Sequence, residues 1–153
     1  MMEKNLRTAL ALLIAAAAGL ANPFQSGTNA ELNKQIHSPV WAGVVVYGSG
    51  LLGLLLLQLF FRQPVPDQGR LASTPTWAWV GGLISILPTL AGLMFAQRLG
   101  AGIFTGVSVT AALVCSILLD HFGVVGFHQH SVSPIRLAGC GLMIAGLWMI
   151  ART

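Results

Sequence analysis

Read from the N-terminus, the chain alternates long apolar runs with short polar interruptions. The positions of Asp, Glu, Lys and Arg leave five uncharged segments: Thr8 to Ala30, Ser38 to Phe61, Pro75 to Gln97, Leu99 to Leu119 and Leu137 to Ala151. The first four contain 21 to 24 residues each, close to the ~20 that a helix needs to cross about 30 Å of hydrocarbon. The fifth is shorter and is extended back toward Pro134. Continuous apolar runs without two-residue alternation exclude the strands of a membrane barrel, and lipid admits only helices or closed barrels. The expected fold is an all-α membrane protein. It forms a single transmembrane domain over residues 1–153, a bundle of about five helices near 6–33, 38–61, 75–97, 99–121 and 134–151.

Local chemistry marks the helix starts. Ser38-Pro39, Thr74-Pro75 and Ser133-Pro134 each place a hydroxyl ahead of a proline, and a proline at the first helical position gives up only an N–H that has no partner there anyway. Trp41, Trp77, Trp79 and Trp148 fall near predicted span ends, where an indole keeps its ring in lipid and its N–H wet. The stretch Gln63 to Thr74, with Pro64, Pro66, Asp67 and Gly69, reads as a polar loop. Lys4 and Arg7, followed by Ala9 to Leu20 and the small-residue triplet Gly19-Leu20-Ala21, imitate a secretory signal peptide. The uncharged stretch continues to Ala30 and its polar residues are helically spaced, which favours a first membrane helix instead.

Composition agrees with the pattern: 55% of the 153 residues are hydrophobic and 8% charged, against about 25% charged in a soluble domain. Disorder is excluded by the same figures. The net charge of +4 is scattered singly and forms no basic patch, so nucleic acid is not an expected partner. If the N-terminus is cytoplasmic, Lys4, Arg7, Arg62, Arg70 and Arg136 lie inside and Lys34, Arg98 and Arg152 outside, a five-to-three bias that permits insertion in both orientations. Cys115 and Cys140 lie within apolar runs as small hydrophobes. His121, His128 and His130 lack the Cys or carboxylate partners of a recognised metal set. No metal or other cofactor is implied. Nor is an enzyme, for the sequence holds no nucleophile–base pair and no phosphate loop.

The informative residues are polar ones where lipid should exclude them. Asn22, Gln25, Asn29 and Asn33 recur at spacings of three, four and four and so share one helical face. Pro23 leaves the Gly19 carbonyl without its usual donor. Such a face either lines a cavity or binds helices together, and Gln25 and Asn29 are expected to line the cavity. Gly82, Ser85, Thr89 and Gly92 form a comparable face, with Pro88 freeing the Ile84 carbonyl. Close packing and a bending hinge beside a pocket are its two readings. Ala138, Gly141 and Ala145 make a small-residue seam suited to packing or dimer contact. Asp120 lies near the end of the fourth helix, where the macrodipole disfavours an anion. Compensation by His121 or Arg136, with Gly123 as a left-handed cap, is one account. A titrating or substrate-steering carboxylate is the other.

These residues carry a resemblance that runs nearly end to end. Gly19-Leu20-Ala21-Asn22-Pro23-Phe24-Gln25 through Asn29-Ala30-Glu31-Leu32, Ser116-Ile117-Leu118-Leu119-Asp120-His121-Phe122-Gly123 and Arg136-Leu137-Ala138-Gly139 resemble the YdcZ-like branch of the drug/metabolite transporter superfamily, small bacterial inner-membrane proteins. The resemblance implies half of a ten-helix inverted-repeat transporter, completed by a second copy or a paralogue in opposite orientation. It marks Gln25 and Asn29 as cavity residues and Asp120 as part of the signature. Ala111 and Ala112 stand where the family pattern would have Gly-Gln. No acidic residue occupies the middle of a span as in the small multidrug exporters, which leaves coupling to Asp120, Glu31, a histidine or a carbonyl-held ion. The expected function is export of a small molecule by alternating access as an antiparallel dimer. Asn22, Gln25, Asn29, Ser85 and Thr89 would bind the solute, and Asp120, Pro23 and Pro88 would serve coupling and gating. A non-transporting subunit that modulates a partner by helix packing is the alternative.

Overall fold

A computed structural model describes residues 2–152, apart from the side chains of Met2 and Lys4. The end positions of the expected 1–153 span and the Lys4 cation therefore lie outside the described residues. The elements are α1 (Met2–Ile36), α2 (Pro39–Phe61), α3 (Gln68–Ala72), a 3-10 turn (Thr76–Val80), α4 (Gly81–Ile84), α5 (Ile86–Leu99), α6 (Ala101–Phe122) and α7 (Pro134–Ile150). No strand occurs among the described residues. The stretches Asn5–Ile36, Pro39–Phe61, Thr76–Leu99 and Ala101–Phe122 are long and apolar enough to cross a bilayer, and α7 is a shorter apolar helix of 17 residues. The protein is an all-α membrane protein.

Backbone accounting explains the boundaries. Ser38 Oγ accepts from Trp41 N at the start of α2, and Ser133 Oγ accepts from Arg136 N at the start of α7, each ahead of its proline. Thr74, expected to cap the third run, instead donates to the Arg70 carbonyl at 2.9 Å and so closes the end of α3. The run that follows is no single α-helix. It begins as a 3-10 turn and is interrupted at Ser85 between α4 and α5, because Pro88 has no N–H to return to the Ile84 carbonyl. Pro23 has the same defect, yet α1 continues through it for 35 residues.

Contacts divide the chain into two compact units, one drawing on residues up to Pro23 and from Arg98 onward, the other on Phe24–Gln97. In the second unit the core is made of small side chains: Ala30, Ala42, Gly43, Gly92 and Ala96 are buried together with Leu93. Lipid tails are as apolar as leucine, so helices here gain by approaching closely, which small residues permit. The leucines of α2 from Leu54 to Leu57 are all more than half exposed, as expected of a surface solvated by lipid.

In the first unit α6 packs on α7. A methyl added at Gly106 would lie 2.6 Å from Leu147 Cδ1, so any side chain at position 106 would make the end of Leu147 move. Gly123 ends α6 at φ 60, returning its N–H to the Leu119 carbonyl. Past the end of α7, the Arg152 guanidinium lies 3.6 Å from the centre of the Trp148 ring.

Gly106→Val is expected to lower unfolding free energy by about 1–3 kcal/mol through overpacking, read as a lower midpoint in SDS-induced unfolding. Gly139→Ala, whose new methyl meets nothing within 4 Å, is expected to stay within about 0.5 kcal/mol of the parent. Equal midpoints for the two variants would contradict a close α6–α7 contact at Gly106.

Candidate functional site

Within the second unit α2 borders two grooves. One, of about 530 Å³, has Gln25, Thr28, Asn29 and Leu32 of α1 on one wall and Val45, Val46, Ser49 and Gly50 of α2 on the other. The second, of about 440 Å³, lies between α2 and the α4–α5 segment and is walled by Val40, Gly43, Val44, Tyr47, Ile86 and Thr89, among others.

The amide stripe on α1 separates by function once α5 is in place. Asn33 Nδ2 donates to the Leu93 carbonyl at 2.9 Å, tying α1 to α5, while its Oδ1 is buried without a partner. Beyond it, Glu31 accepts from Gln35 Nε2 at 2.8 Å and Gln97 Nε2 at 3.2 Å and pairs with Lys34 at 3.6 Å. Asn29 is only 9% exposed and lines the larger groove. Neither its carboxamide nor that of Gln25 forms a hydrogen bond among the described residues. The groove thus holds an unmet capacity to donate and accept. Asn22 is exposed, falls in the other unit, and borders neither groove.

Ser85 and Thr89 do not share the groove of Gln25 and Asn29. Both meet Tyr47, whose hydroxyl lies 2.8 Å from Ser85 Oγ and 2.9 Å from Thr89 Oγ1. Ser85 also donates to the Gly82 carbonyl at 2.7 Å and Thr89 to the Ser85 carbonyl at 2.9 Å. Three hydroxyl protons thus serve four contacts, so one of the Tyr47 contacts lacks a proton of its own at any moment. The chain's single tyrosine was not anticipated in this role. Its signal was a phenol in the middle of an apolar helix, where an O–H must find a partner.

At the end of α6, Asp120 Oδ2 pairs with Arg136 Nη1 at 3.5 Å. The loop after it folds back onto the same helix end. His130 N donates to the Asp120 carbonyl at 2.8 Å, Gln129 Nε2 to the His121 carbonyl at 3.1 Å, and Val132 N to His121 Nδ1 at 3.4 Å. That last contact requires an unprotonated Nδ1. Among the described residues no group of three His, Cys, Asp or Glu side chains is placed to hold a metal ion.

A family model described as "Putative inner membrane exporter, YdcZ" matches residues 10–149, which covers three of the apolar runs whole and all but two residues of the first and of the last. No curated protein and no solved structure matches the chain. The class named by that description is one of carriers, not of enzymes.

The two asparagines should respond to substitution in opposite senses. Asn33→Leu, which loses the bond to Leu93, is expected to cost about 1 kcal/mol. Asn29→Leu, which removes an amide that bonds to no other described residue, should leave stability unchanged or raise it. SDS-induced unfolding of both variants checks this, and a marked loss for Asn29→Leu would mean that its amide binds helices together.

Proposed function

The chain belongs to the YdcZ family of inner membrane exporters, and from that premise we propose that it exports a small molecule by alternating access, with the α1–α2 groove as its half of the solute site. The chain is a multi-pass membrane protein of helices long enough to span. What supports the site is Asn29, nine-tenths buried, without a partner and bordering a groove of solute size. In a membrane span a polar side chain without a partner in the protein is a mark of a pathway. Gln25 joins it one turn away. Asn22 and the Ser85–Thr89 pair lie outside this groove, the latter bonded to Tyr47 beside the second one.

A groove open on one side needs a second wall. In this reading a second copy, or a paralogue, inserted in opposite orientation supplies it, and the two bundles rock about the shared site, as in inverted-repeat carriers. The weak five-to-three bias of cations between the two sides is compatible with such pairing, and the major orientation has a cytoplasmic N-terminus. Pro23 and Pro88 contribute bending points, since each deprives a carbonyl of its donor. Asp120 acts as a gate: its pair with Arg136 joins the end of α6 to the start of α7, and breaking that pair removes the side-chain tie between the two helices.

Proteoliposomes of the purified chain, loaded with a mixture of small solutes and followed by mass spectrometry of the outer medium, should release a defined subset. Asn29→Leu and Gln25→Leu should each slow that release by about ten-fold or more while inserting normally. Unaltered release would remove both residues from the site, and no release by any preparation of the chain alone would favour a modulatory subunit. Single cysteines at the N-terminus, introduced with Cys115 and Cys140 replaced, should be labelled by impermeant maleimide in intact cells for one fraction of the molecules and only after lysis for the other. Labelling from one side alone would exclude an antiparallel homodimer.

A further inference from the structure

The α1–α2 groove contains no Asp, Glu, Lys, Arg or His among its lining residues. The nearest charge along α1 is Glu31, two positions beyond Asn29 and therefore about 200° around the helix. Its carboxylate is already occupied by Gln35, Gln97 and Lys34. An ion entering the groove would give up its hydration without meeting a counter-charge, which makes charged solutes costly there.

The polar groups present have a definite sense. Ser49 Oγ donates to the Val46 carbonyl at 2.9 Å, and Thr28 Oγ1 lies 3.0 Å from the Gln25 carbonyl and 3.1 Å from that of Phe24. Both hydroxyl protons are thus committed, and toward the groove these residues offer lone pairs only. The carboxamides of Gln25 and Asn29 are uncommitted, each with two N–H donors and one acceptor oxygen. They stand four residues apart on one helix, which sets their Cβ atoms about 5–6 Å from each other. The opposite wall is mostly apolar, with Val45 and Val46 beside Gly50 and the Ser49 hydroxyl.

We infer that the solute of this groove is a small uncharged carboxamide with an apolar body: its own N–H and C=O pair with the free amides of Gln25 and Asn29, and its apolar part lies against α2. The inference rests on the reading of the groove as the solute site. A planar amide carries one donor and one acceptor side by side, which is the complement of what each free carboxamide presents. A quaternary amine has no donor at all, and a carboxylate has no proton to give to the acceptor oxygens.

Three probes of nearly equal shape separate charge from size: nicotinamide, which is neutral, nicotinate, an anion, and 1-methylnicotinamide, a permanent cation. Equilibrium binding of each in radiolabelled form is measured on the full chain reconstituted in lipid nanodiscs. Nicotinamide is expected to bind saturably, the two charged probes at least about ten-fold more weakly. Asn29→Leu should weaken nicotinamide by a similar factor. Asn29→Asp, which keeps the shape and adds a charge, should shift preference toward 1-methylnicotinamide. If a charged probe binds as tightly as nicotinamide, in a manner that Asn29→Leu abolishes, the uncharged-solute inference falls and the groove stands as a solute site. If nicotinamide binds equally well to the parent and to Asn29→Leu, the groove itself is the wrong site. Absence of saturable nicotinamide binding at millimolar concentration overturns the carboxamide class.

Discussion

Hydrocarbon offers no hydrogen bonds, and every polar group the chain brings into it must find a partner within the protein. That constraint is why the apolar runs are helices and why a serine stands ahead of the proline that opens both α2 and α7. It also explains why Tyr47 is held between Ser85 and Thr89. Two groups stand apart from the rule: Asn33 Oδ1 is buried without a partner, and Asn29, largely buried on the α1–α2 groove, makes no hydrogen bond among the described residues.

Packing within each unit follows a second rule, that closeness counts for more than apolar bulk. Ala30, Ala42 and Ala96 form most of the buried apolar core around Leu93 in one unit, and Gly106 admits Leu147 in the other. Large side chains are displaced to the outside, where Leu54 to Leu57 meet lipid. A protein so built holds its helices by fitted backbones and a few tethers such as Asn33 to Leu93. Its polar groups can then be few.

Much of this was legible in the sequence because it is local. Span lengths follow from the spacing of charges, and the Ser-Pro starts and the Gly123 stop follow from backbone sterics. What failed was also local in appearance but tertiary in cause. Thr74 had two uses for its hydroxyl, and the Arg70 carbonyl of α3 claimed it. Pro23 and Pro88 read alike, yet only the segment with a glycine pair and a 3-10 start gives way, at Ser85. The amide stripe of α1 could be drawn on a helical wheel, but which of its members is a tether and which is open depends on where Leu93 of α5 lies. For the same reason the polar faces of the first and third runs, expected around one centre, border two different grooves of the second unit, and Tyr47 was overlooked.

The length of α1 has one more effect. At 35 residues it measures about 52 Å along its axis, well beyond the ~30 Å of hydrocarbon it crosses. Its uncharged part, Thr8 to Ala30, accounts for only about 35 Å of that, so the surplus is charged helix that projects past the hydrocarbon at each end and anchors the span. Asn29, next to the last residue of that uncharged run, therefore lies toward the polar margin of the crossing.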